Sequence, residues 1–141
     1  MRTITLVAFI ALSLTGCATT PTPVLQAKST PNNRVYFPAG NGVVTSTAIF
    51  VRDTGFASGG LYMHLSINGK KAAAIDVGEK VTFRLPSGEY VFRVTPTDPM
   101  GGSAGFGIDQ NLIEGRTYTY RILTDGNLQT RIERVIDSAT Q

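Results

Sequence analysis

The 141-residue chain holds one cysteine, one histidine and no tryptophan. A single cysteine allows no disulfide within the chain. Together with one histidine it gives too few nitrogen and sulfur ligands for a transition-metal site. Charged residues make up 16% of the chain, below the roughly 25% usual in soluble domains. The formal net charge is +3, and the basic residues never run longer than the pair Lys70–Lys71. A nucleic-acid binder usually gathers its positive charge on one stripe or tail, so nucleic acid is not expected as a partner. No apolar run reaches the ~20 residues that span a bilayer core, and no stretch of ten or more residues holds a 3.6-residue period.

What is present begins at the N-terminus. Arg2 supplies one positive charge, and Ile4–Leu14 follows as eleven residues without any charge. That length fits the apolar region of a secretory signal, not a membrane span. Leu14-Thr15-Gly16-Cys17 comes next. It resembles the bacterial lipobox, in which a small residue precedes the cysteine that becomes the new N-terminus. The resemblance implies a diacylglycerol (palmitate-type chains) on the Cys17 sulfur. Each buried CH₂ is worth about 0.8 kcal/mol, and two chains suffice for stable anchoring. Alanine at position 18, where many Gram-negative lipoproteins carry an aspartate to stay at the inner membrane, implies an address at the periplasmic face of the outer membrane. Residues 1–16 are then the lipoprotein signal peptide. Residues 17–33 form a lipidated cysteine and a Thr/Pro-rich tether, extended because Pro21, Pro23 and Pro31 forbid a helix.

Residues 34–141 read as the folded domain. Short runs of β-formers alternate with turn residues: Arg34–Pro38, Thr45–Arg52, Leu61–Ile67, Lys70–Ile75, Lys80–Leu85, Glu89–Thr95, Phe106–Ile113, Arg116–Leu123 and Leu128–Ile136. Val81, Phe83 and Leu85 alternate with polar residues, as do Tyr90, Phe92 and Val94. Asn68-Gly69 is a strong hairpin signal, because both central positions of the favoured turn need positive φ. The expected fold is all-β, a single antiparallel β-sandwich of about eight or nine short strands.

Leu65–Gly69, Ile75–Gly78 and Leu85–Phe92 resemble the turn and core motifs of small Ig-like or prealbumin-like sandwiches in bacterial envelope lipoproteins, including PEGA-type domains. Arg34–Phe37 resembles their first strand. The resemblance covers about half of the mature chain and implies a fold, not a catalytic residue.

Candidate chemistry is sparse. Asp53-Thr54-Gly55 after an apolar strand resembles the core of retropepsin-like aspartic proteases, in which facing carboxylates share a proton. Leu112–Arg116 faintly resembles their second motif, but Glu114 interrupts it and Arg52 abuts Asp53. The plain alternative is a turn closing a strand. His64, in a strand, reads as a satisfied structural residue. Asp98 and Asp109 flank a glycine-rich loop but are too few for calcium. No catalytic residue, metal, cofactor or small-molecule substrate is expected. Two glycine-rich connections, Gly55–Gly60 and Thr95–Gly105, stand out, and Phe56, Met100 and Phe106 are the candidate partner-contact residues on them. The expectation is a lipid-anchored, non-enzymatic binding or structural module of the cell envelope. Its partners would be the membrane through the covalent lipid, and an envelope or secretion-complex protein or peptidoglycan. The alternatives are a phage- or plasmid-type surface-exclusion lipoprotein and the retropepsin-like protease.

Overall fold

The alternating segments fold as two packed sheets. In this computed structural model residues 19–37, 43, 45–55, 60–97, 105–127 and 129–136 are described. Their strands are β1 (Lys28–Ser29), β2 (Ser46–Arg52), β3 (Met63–Ile67), β4 (Lys70–Ile75), β5 (Glu79–Leu85), β6 (Gly88–Pro96), β7 (Phe106–Leu112), β8 (Thr117–Thr124) and β9 (Thr130–Val135). One sheet has the order β1-β5-β2-β8-β9 and the other β4-β3-β6-β7. This is the all-β sandwich expected from the alternation.

The second sheet is wholly antiparallel. The first is mixed, since β2 pairs parallel with β8 and β1 pairs parallel with β5. The β2–β8 pairing has a simple cause: β3 to β7 lie between these strands in sequence, so the chain leaves β2 at one end and crosses over to enter β8 from the opposite end. Asn68 (φ 49°) and Gly69 (φ 76°) form the β3–β4 hairpin turn, as their residue types require.

The core is aromatic. Phe50 on β2 stacks on Tyr120 of β8 at 4.9 Å between ring centroids. It meets Phe92 of the opposite sheet edge-on at 5.0 Å and Phe83 of β5 at 6.2 Å. One ring from the central strand thus touches rings on both sheets, in the offset and edge-to-face geometries that aromatic quadrupoles favour.

Two expectations need correction. Of the expected strand Arg34–Pro38, the described residues Arg34–Phe37 do not form one, and Pro38 lies outside the described residues. Asn32–Arg34 makes one 3₁₀ turn, and Val35 forms an isolated bridge with Ala73. The chain crosses here from the edge of one sheet to the edge of the other, so it cannot run along either. Val35 and Phe37 pack against the core, and Phe37 meets Phe83 at 5.8 Å, closing the side of the sandwich.

The second correction concerns the tether. The described part of residues 17–33 does not hang free. Thr20 N–H donates to Thr54 O (2.6 Å), Lys28 N–H to Gly78 O (3.0 Å) and Thr30 N–H to Lys80 O (2.8 Å). Lys80 Nζ donates to Val24 O at 2.6 Å. Ala27 and Thr30 are buried. Proline forbids a helix here but not an extended segment at a sheet edge, and the outer edge of β5 offers unpaired backbone groups to such a segment. The folded unit therefore reaches back from Arg34 to at least Thr19.

Replacing Phe50 with alanine should cost about 3–5 kcal/mol of stability, read as a large drop in the urea midpoint. A loss below about 1 kcal/mol would show that the core is not organised around this ring.

Candidate functional site

The most polar buried cluster of the described residues forms at the C-terminal end of β2. Arg52 and Asp53 are consecutive and both buried, although neighbours on a strand point to opposite faces. Each face must therefore be covered. Arg52 Nη1 donates to Leu61 O (2.6 Å) and Ile75 O (2.9 Å), which satisfies two carbonyls where β3 begins and β4 ends. Burial pulls its guanidinium down, while Asp76 and Glu79 act in the other direction.

Asp53 points the other way, beneath the N-terminal strap formed by Thr19–Thr30. Its Oδ2 is ion-paired with Arg121 Nη2 on β8. Its Oδ1 accepts from Arg121 Nε at 3.3 Å and from the Thr22 backbone N–H at 3.1 Å. The carboxylate raises the Arg121 guanidinium, chiefly through the side-chain hydrogen bond. Around this pair the strap is stitched down. Thr54 N–H donates to Thr20 O (3.0 Å) and to Thr22 Oγ1 (3.0 Å), and Thr19 N–H donates to Thr124 O (3.3 Å). Gly55 is required by this contact. Its φ is +146°, and a Cβ there would lie 2.9 Å from Thr19 Cα.

This geometry assigns Asp53-Thr54-Gly55 a structural task. The carboxylate is held by a guanidinium and an amide, and no second carboxylate lies among its hydrogen-bond partners in the described residues. A proton-sharing pair needs two facing carboxyls, so the retropepsin-like reading gains no support from the surroundings of Asp53.

Of the other sequence-selected residues, Cys17, Phe56 and Met100 lie outside the described residues, as does Asp98. Phe106 opens β7 opposite Val94 and is 42% exposed. The bases of the two glycine-rich connections come together. Thr97 N–H and Oγ1–H both donate to Tyr62 O (2.8 and 3.0 Å). His64 Nε2 lies 2.7 Å from Thr97 Oγ1. With the hydroxyl proton given to Tyr62, Nε2–H is the donor. Burial, with a smaller contribution from Lys71, holds the imidazole below its ordinary range. His64 thus serves to tie β3 to the end of β6. Asp109 lies exposed on β7, and no group of three or more His, Cys, Asp or Glu that could hold a metal exists among the described residues.

No local pattern points to the Arg121–Asp53–Thr22 clamp. Its members are separated by 68 and 31 positions, and a Thr-Pro alternation looks the same in a loose tether as in a docked strap.

Removing Arg121 leaves the Asp53 carboxylate buried with one amide partner. Arg121→Ala should lose about 3 kcal/mol. The double variant Arg121→Ala/Asp53→Asn should be more stable than that single variant, because no charge is stranded. Urea titrations of these proteins and of Asp53→Asn alone check this; additive losses would mean that the two side chains do not act as a pair.

No family model and no curated protein matches the chain. Among solved structures it is similar to a protein from Eubacterium rectale determined by NMR, at 17% identity and a TM-score of 0.44, over 73% of this chain and all of the other.

Proposed function

We propose that the protein is a lipid-anchored, non-enzymatic module of the bacterial cell envelope, at the periplasmic face of the outer membrane. The observation that carries this reading is the sequence Leu14-Thr15-Gly16-Cys17, set directly after an uncharged eleven-residue run. A lone thiol in an exported chain is a reactive liability unless it is consumed, and acylation consumes it. The fold agrees with the reading. A sandwich with turn motifs like those of envelope lipoproteins follows the cysteine, and the chain enters that sandwich only two residues downstream, at Thr19. The role is one of position and presentation. The acyl chains hold the module at the bilayer, and the rigid sheets display turns and edges to an envelope or secretion-complex protein or to peptidoglycan.

Cells expressing the full chain and Cys17→Ser should be fed labelled palmitate. The wild type should incorporate label and sediment with membranes, and the serine variant should do neither. Equal labelling of both, or an unlabelled wild type, overturns the proposal.

A further inference from the structure

We infer that the sandwich is seated on the bilayer by one particular end, with the headgroup surface as its first contact; this rests on the lipid anchor proposed above. The occupant follows from where the anchored chain enters the fold. Thr19 and Thr20 are hydrogen-bonded to Thr124 and Thr54, at the C-terminal ends of β8 and β2. Two peptide links separate Thr19 from Cys17, a span of at most about 7 Å. A free fifteen-residue tether in extended polyproline form would reach about 45 Å instead. The strap removes that reach. With two acyl chains in the membrane and about 7 Å of slack, the end of the sandwich bearing Thr54 and Thr124 has no room to stand clear of the headgroups.

The side chains at that end suit an interface. Leu25 on the strap is 96% exposed, and Leu61, Tyr62 and Phe106 are each more than a third exposed. Arg34 lies over the Tyr62 ring at 4.7 Å. A tyrosine with a cation on its face is amphipathic in the manner of residues at the membrane–water boundary. Apolar side chains also stand exposed toward the opposite end, among them Ile113, so apolarity alone does not choose between the ends. The anchor point does. Seven-residue strands are about 23 Å long, which places Ile113, beyond the far end of β7, well away from the bilayer. The Asn68-Gly69 and Ser87-Gly88 turns lie at that far end too, and are what a soluble partner would meet.

Because lipidation blocks Cys17, an introduced cysteine is the only free thiol in the mature protein. Leu61→Cys, Leu25→Cys and Ile113→Cys, each labelled with a small fluorophore, are reconstituted as full lipidated protein in phosphatidylethanolamine/phosphatidylglycerol vesicles. The vesicles carry a spin-labelled lipid that quenches on close approach. Labels at 61 and 25 should be quenched at least threefold more than the label at 113. Equal quenching at all three sites in protein that floats with the vesicles overturns the seating while leaving the anchor intact. Protein that fails to float overturns the anchor, and the seating with it.

Discussion

The structure depends on a strand edge that is covered by its own N-terminal chain. β5 is flanked on one side by β2 and on the other only by the strap. Backbone donors at Lys28 and Thr30 find the carbonyls of Gly78 and Lys80, so the edge is paired and not open to a foreign strand. Hydrogen bonds of this kind contribute only about 1 kcal/mol each, while ordering a residue costs about 1–2 kcal/mol. Backbone pairing alone would therefore not hold the strap. Burial of Ala27, Val35 and Phe37 at one side and the Asp53–Arg121 pair at the other supply what it lacks. The strap is fixed where apolar contact and a buried charge coincide with its backbone bonds.

This arrangement explains the burial of β2. A central strand of a half-solvated sheet should alternate, yet Phe50 to Asp53 are all buried. Arg52 is covered at the Leu61 and Ile75 carbonyls, and Asp53 by Thr22 and Arg121. Two adjacent charges of opposite sign are thus taken out of water on opposite faces, each with its own partners. Positioning work of this kind accounts for a motif that would otherwise invite a catalytic interpretation.

The strands were legible from sequence because their inner faces repeat every two residues. Val81, Phe83 and Leu85 are buried, and Thr82 and Arg84 are exposed. The Asn68-Gly69 turn was legible because its backbone needs what those residues allow. The parallel β2–β8 pairing was not, since it joins segments some 70 positions apart and no local pattern encodes a non-local neighbour. The strap was misread for a different reason. Its contacts are made largely by backbone groups, which every sequence shares, and its prolines signal only that a helix is excluded. Asp53 was recognised as a turn residue, but its partner Arg121 looked like any other surface arginine of an alternating strand. For function, the proposed signal is the four residues ending at Cys17. Under the proposed anchoring, what the fold adds is distance: a docked strap makes a short leash, and a short leash would turn an anchored domain into an oriented one.

The docked strap is also the claim most open to direct measurement. Amide hydrogen exchange, followed by NMR in the soluble chain lacking its first seventeen residues, reports each backbone bond separately. The Lys28 and Thr30 amides should exchange within about tenfold of the β5 amides beside them. Exchange at free-peptide rates at both positions, with β5 still protected, would show that the strap is a loose tether after all.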